Sequence, residues 1–119
     1  MADMASRQSR ELAHPTRAAL TFTAVSGALS DPIRLSIVAR LGTLGPGGEL
    51  PCATFRLPVT KSTQSAHFRR LREAGVIRQR DQGTRRMNSL RREDLDDRFP
   101  GLLNLAIAQG AVARPGRRR

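Results

Sequence analysis

Between Lys61 and Arg92 the chain carries nine arginines and one lysine against two acids, Glu73 and Asp81, a net charge of +8. Guanidinium groups at that density suit one kind of chemistry above others. They donate paired, charge-assisted hydrogen bonds to phosphate oxygens and to the acceptor edge of guanine. Solvated protein faces ordinarily mix signs, so an excess this large implies a polyanion outside the fold. The whole chain repeats the bias, with a net charge of +11 over 119 residues. All of its basic residues but Lys61 are arginine. Phosphate recognition explains that preference, and so does a skewed genome base composition.

Other reactive residues are few. Cys52 is the single cysteine, which excludes an internal disulfide framework and fits a reducing cytoplasm. Near the start of a short helix, with Arg56 close by, its thiol could titrate low and sense oxidants. The alternative is a small buried apolar residue. A tetrahedral metal site needs three or four converging donors. The histidines, His14 and His67, lie far apart in sequence, and "EDLDD" at 93–97 suits a helix start or a solvated face better than a cation. The sequence holds no nucleophile–base pair and no Gly-rich phosphate loop, so an enzyme is not expected. Four phenylalanines with no tryptophan or tyrosine argue against a base-stacking platform for single strands. No apolar run reaches the length of a membrane span, and the polar start "MADMASRQSRELAHPTR" lacks a signal core. A cytoplasmic protein, nucleoid-associated when bound, is the expectation, without cofactor or membrane partner.

Several short elements must position the basic stretch. Residues 1–18 read as a polar arm, 19–109 as one domain, and 110–119 as a basic, disordered tail. "ALTFTAVSGAL" spaces Leu20, Phe22, Val25, Ala28 and Leu29 as a short first helix. In "SDPIRLSIVARLG", Ser30 or Asp31 caps, Pro32 suits the first turn, and Gly42 the exit. Ile33, Ile37, Val38 and Leu41 form its apolar stripe, with Arg34, Ser36 and Arg40 pointing elsewhere. "LPCATFRLP", bounded by Pro51 and Pro58, leaves room for about two helical turns. Thr60 caps a longer helix that Gly75 ends; Val76 and Ile77 begin a strand, "DQGT" turns, and Arg85 to Leu90 returns. Pro100 separates two final helical pieces, the second apolar on most sides and suited to a buried or inter-subunit face.

A short helix, a turn at "LPVT", a second helix and a β-hairpin make an α+β winged helix-turn-helix, mainly α with one hairpin. At 100° per residue, Gln64, Phe68, Leu71 and Gly75 share the inner face of the second helix, with His67 at its edge. Ser62, Ala66, Arg69 and Glu73 share the outer face, flanked by Lys61, Thr63, Ser65, Arg70 and Arg72. Small donors at the helix start would let backbone approach a groove. The expected double-stranded DNA contacts are therefore Lys61, Ser62, Thr63, Gln64, Ser65, Ala66, Arg69 and Arg72, with Arg78, Arg80, Arg85 and Arg86 on the wing neutralising phosphates.

"ALSDPIRLSIVARL", "VTKSTQSAHFRRLREAGVI", "GTRRMNSL" and "LDDRFPGLL" resemble, in order, the successive blocks of the ArsR-type winged helix-turn-helix repressors over about residues 20–108. The resemblance implies a homodimeric bacterial regulator that binds a palindromic operator and is released by an effector. It also implies a dimer interface on the first and last helices, here Leu20, Phe22, Val25, Leu29, Leu102, Leu103, Ala106 and Ile107. Three positions depart from the family pattern. Gln64 replaces a usual aliphatic residue, Arg70 a frequent apolar one, and Ala66 a frequent histidine. Gln64 either reads an adenine edge or is buried and hydrogen-bonded. The family's paired cysteines and its Asp/His metal ligands on the last helix are absent, so a metal sensor is not expected. A small-molecule effector stays open. The competing functions are a redox repressor acting through Cys52 and a nonspecific nucleoid protein acting by charge alone.

Overall fold

The computed structural model describes residues 9–112. Residues 1–8 of the expected arm and 113–119 of the expected tail lie outside those residues; 110–112, placed in the tail, instead continue the last helix, where Gly110 packs against Leu35 and Ala39.

Five α-helices and a four-stranded antiparallel sheet make an α+β fold. Helix α1 spans Phe22–Leu29, capped by the Thr21 hydroxyl. Helix α2 spans Pro32–Gly42; the Asp31 carboxylate accepts from the amides of Ile33 and Arg34, and Pro32 occupies the first turn, where no N–H is missed. Helix α3 spans Lys61–Ala74, with Thr60 as its cap. It ends at Gly75, whose φ of 89° is left-handed and favours a residue without Cβ. Helices α4, Arg92–Arg98, and α5, Leu102–Val112, close the chain.

The strands are β1 (Arg10–Glu11), β2 (Leu50–Pro51), β3 (Ile77–Gln82) and β4 (Arg85–Leu90), in the spatial order β1-β3-β4-β2. The hairpin β3–β4 stands where the sequence placed it, turning at Gly83 and Thr84. One element differs. "LPCATFRLP" forms a single 3-10 turn at Cys52–Thr54, not two helical turns. Leu50 and Pro51 are drawn into pairing with Asn88 and Met87, and Phe55 to Val59 approach α3 without helix. That pairing holds Leu50 and Pro51 extended, and one turn of helix follows it. The helix, turn, helix and hairpin arrangement is nonetheless compatible with a winged helix-turn-helix.

The core joins Val25, Ile37, Val38, Leu41, Phe68, Leu71, Ile77, Leu95 and Leu103, each nearly without exposed surface. Phe55 and Phe68 meet edge to face, 5.2 Å between centroids. Ser36, expected to point away, is buried with its hydroxyl donating to the Ile33 carbonyl at 2.7 Å. Helix α5 crosses α2 closely at Leu35 and Ala39. A Cβ on Gly110 would strike the Leu35 carbonyl oxygen, so the two helices can approach this closely only with glycine there.

Residues 9–18 of the expected arm pack on the domain. Arg10 pairs with Asp81 and Glu11 with Arg80, adding β1 to the hairpin's edge. Arg91, only 6% exposed, donates to the Pro15 carbonyl at 2.7 Å and to Asp94 at 2.9 Å. Arg17 binds Asp94 at 2.6 Å and lies within 3.7 Å of Glu93 and 3.6 Å of Asp97. The acidic run "EDLDD" is thereby compensated from the arm. Burial alone would raise the Asp94 carboxyl, but hydrogen bonds from Arg17 and Arg91 outweigh it and hold the pKa low.

His14 completes the arm's attachment: its Nε2 accepts from the Gln79 amide at 2.8 Å, which requires an unprotonated nitrogen there. Burial pushes its pKa below the ordinary 6.5, with Arg78 and Arg91 adding to that and Glu11 opposing. The unfolded chain therefore takes up a proton at higher pH than the folded one. His14's contribution is complete above about 6.5 and is lost as pH falls below that towards the folded value. Thermal unfolding of wild type and His14→Gln between pH 7 and 5 checks this. Wild type should lose stability more steeply, and equal slopes would contradict it. His14→Ala should cost about 1 kcal/mol at neutral pH by leaving the strand amide unpaired.

Candidate nucleic-acid interface

Phe68, Leu71 and Ala74 bury one side of α3. Lys61, Ser62, Thr63, Ser65, Ala66, Arg69, Arg70 and Glu73 are exposed on the rest. No other described segment covers this outward side. Six of the eight residues expected to contact DNA from α3 lie on it.

Gln64 and Arg72 do not. Gln64 takes the inward alternative, its amide donating to the Cys52 carbonyl at 3.1 Å. It sits four residues before Phe68, nearly in line with it on the wheel, so it shares the packed face. Arg72 sits four residues after Phe68 and turns towards the sheet. Its Nη1 donates to Gln79 Oε1 at 2.8 Å, and its Nε is buried with no partner. Neither side chain is presented to a duplex.

The contact made by Arg72 belongs to a buried polar hub. Gln79 and Asn88 oppose one another across the hairpin, 1% and 0% exposed. Gln79 Nε2 donates to Asn88 Oδ1 at 2.8 Å, and Asn88 Nδ2 to the Leu50 carbonyl at 3.1 Å and to Cys52 Sγ at 3.2 Å. Three strands, the 3-10 turn and α3 thus meet at two amides. Buried amides so fully bonded fix one geometry, because any shift strands a donor. The sequence reading missed both residues. The available signal is strand alternation: Gln79 shares a face with Ile77, and Asn88 with Leu90.

The four hairpin arginines are less alike than their sequence suggests. Arg78 lies 3.7 Å from Glu11. Arg80 donates to both oxygens of Glu49, at 2.8 and 2.6 Å, and to the Ser9 hydroxyl at 2.7 Å. By alternation these two point away from the hub. Arg86 forks onto Asp81 at 2.7 and 3.0 Å, and that hydrogen bonding holds the Asp81 carboxyl below its usual range. Arg85, exposed near the turn, makes no ion pair with a described residue. Arg78, Arg80 and Arg86 are therefore partly or fully compensated inside the fold. The local excess of positive charge overstates what is free, because Glu11 and Glu49 come from outside the basic stretch. Arg10 joins this group unforeseen. It is exposed, and opposite Asp81 its side chain shares the face of Asp81 and Arg86.

Cys52 does not match the reactive reading. It opens the 3-10 turn half-buried; burial pushes its thiol up, and the Asn88 hydrogen bond and the Arg86 charge only partly oppose this. The thiol therefore stays protonated at neutral pH and acts as a weak acceptor in the hub.

The residues expected at a dimer interface divide in two. Leu20, Val25, Leu29, Leu103 and Ala106 are buried in the core of the single chain and offer no surface to a partner. Leu20 lies against Gly75 at the end of α3, the first helix packs on α3 and α2, and the last packs on α2 and α4, so these apolar side chains are used within the chain. Phe22 is 60% exposed, and Leu102 and Ile107 are half-buried, Ile107 against Gly42. Phe99 and Leu105 belong with Phe22 and Leu102, around an open apolar hollow with Pro100 and Gly101. The Phe22 and Phe99 rings meet edge to face at 6.0 Å. Leu105 is 58% exposed.

Among the described residues, no three of His, Cys, Asp and Glu gather where a metal ion could be held. No helix among them is long and apolar enough to cross a membrane. No family model matches the sequence. It is 37% identical over 78 residues to the HTH-type transcriptional regulator YceK of Bacillus subtilis (strain 168). That alignment covers 64% of this chain and 76% of the relative. An exposed, arginine-bearing helix beside a hairpin, together with this likeness, places the chain in the family of HTH-type transcriptional regulators.

Proposed function

We propose that the protein is a metal-free winged helix-turn-helix repressor of the ArsR type, binding a palindromic operator as a homodimer. The observation that carries this reading is the open outward side of α3. It presents Arg69 among small residues, and the hub at Gln79 and Asn88 holds the hairpin beside it. A helix of this kind fits a major groove, with Arg69 positioned for a guanine edge and Ser62 and Ser65 for close backbone approach. Arg85, at the hairpin turn, suits a phosphate and carries no base preference. The apolar surface around Phe22, Phe99, Leu102 and Leu105 supports self-association, because an exposed cluster of large apolar side chains on a monomer ordinarily marks a contact. A two-fold dimer would present two copies of α3 to two half-sites. The raised thiol of Cys52 favours a packing role over redox control.

Competition binding against operator and random duplex separates specific from charge-only binding. Arg69→Ala should weaken operator binding by about 1–3 kcal/mol and relax base preference, with little change on random duplex. Arg85→Ala should weaken both duplexes alike and lower the salt slope by about 1. Equal losses on both duplexes for Arg69→Ala would favour a nonspecific nucleoid protein. Sedimentation of Phe22→Glu and Leu105→Glu checks the dimer. Each should shift the protein towards monomer without unfolding it, and a wild-type monomer at tens of micromolar would contradict the interface.

A further inference from the structure

Helix α3 and Arg34 of α2 border an open polar hollow of about 420 Å³, lined by Arg34, Ser62, Thr63, His67, Arg69 and Arg70 among others. Arg34 is its most constrained member. Its Nε donates to the Ala28 carbonyl at 2.6 Å and its Nη2 to that of Gly27 at 3.5 Å, both at the C-terminal end of α1, where a cation is favoured. The remaining terminal nitrogen, Nη1, lies 3.1 Å from His67 Nδ1.

A guanidinium can only donate, so Nδ1 of His67 must be the bare nitrogen. The neutral imidazole then carries its proton on Nε2, and its remaining polar group is a donor. Ser62 and Thr63 add hydroxyls from the first turn of α3. None of Arg34, Arg69 and Arg70 makes an ion pair with a described carboxylate, although Glu73 stands on the rim. Three guanidiniums share the hollow with the single carboxylate of Glu73, leaving a net positive charge, and the half-buried Arg34 is the least screened by water. Charged donors outnumber the one carboxylate there, and the Ser62 and Thr63 hydroxyls can turn to donate as well.

We infer that this hollow seats one phosphoryl oxyanion, with Arg34 as its floor and His67 Nε2–H, held in that tautomer by Arg34, as an orienting donor. The oxyanion has two sources, a phosphate of the DNA backbone or a free phosphate or phosphate ester. The first rests on the duplex-binding reading above; the second does not. On the duplex, the seat would fix the depth and tilt of α3 in its groove without reading a base.

Two arms test the inference on the full-length protein. In the first, inorganic phosphate is titrated while NMR follows the His67 ring and the backbone amides of Ser62 and Thr63. These resonances should move saturably at millimolar phosphate in wild type and stay still in Arg34→Gln. In the second, wild type, Arg34→Gln and His67→Ala are compared on operator and random duplex at several salt concentrations. Arg34→Gln should bind both about 5–10-fold more weakly, with a salt slope smaller by about 1. His67→Ala keeps the bonds from Arg34 to the α1 carbonyls, so it controls for misfolding; it should lose about 3-fold with little change in slope. Shifts in the first arm with unchanged duplex binding in the second assign the seat to a free anion. No shifts, together with both variants binding duplex as wild type does, overturn it. Failure of wild type to bind any duplex defeats the regulator reading instead, and the phosphate titration alone then decides the seat.

Discussion

Gln79 and Asn88 face one another inside the hairpin, and the angle between hairpin and α3 follows from how their amides are bonded. Gln79 ties Arg72 of α3, Asn88 ties the Leu50 carbonyl and the Cys52 sulfur, and the His14 imidazole receives the Gln79 main-chain amide. These partners come from α3, β2, the 3-10 turn and the N-terminal arm. Leucines in place of the two amides would fill the space, but they would leave Arg72 and the Leu50 carbonyl without partners in a region closed to water. The hub therefore gives orientation more than net stability, and orientation is what a helix and a hairpin need if they are to meet one rigid surface together.

Charge distribution follows from the same framework. The strands of the hub carry Arg78 and Arg80 on their far face, where β1 and the loop before β2 bring Glu11 and Glu49 to them. Arg86 is held by its cross-strand neighbour Asp81. Among the described residues, the exposed arginines without an ion pair to a carboxylate are Arg69 and Arg70 on α3, Arg85 at the turn, Arg10 on the added strand and Arg56 before α3. Positive charge is thus reduced along the hairpin, where Arg78, Arg80 and Arg86 meet carboxylates, while these other arginines stay outward.

Local signals made most of this fold legible in the sequence. Asp31–Pro32, Thr60, Gly75 and the "DQGT" turn each act within a few residues, and the elements they bound fall where those signals put them. Signals that depend on distant partners were not legible. The extended backbone of Leu50–Pro51 is set by β4, which shortens the following helix to one turn. The compensation of Arg78 and Arg80 comes from residues 67 and 31 positions away. For α3 the wheel correctly grouped Gln64 with Phe68, but only the Cys52 carbonyl decides between its two readings. The apolar stripes of the first and last helices do not reveal whether they are used within one chain or between two. Leu103 is buried within the chain, whereas Leu105 stays exposed.

The account stands on the outward side of α3 and the turn of the hairpin touching one duplex at once. Amide chemical-shift mapping of the full-length protein on addition of an operator duplex tests this most directly. Changes should concentrate at Ser62, Ala66 and Arg69 and at Gly83 to Arg85, leaving the acidic helix from Glu93 to Asp97 unmoved. Changes centred on that helix, or on α3 without the hairpin turn, would contradict it.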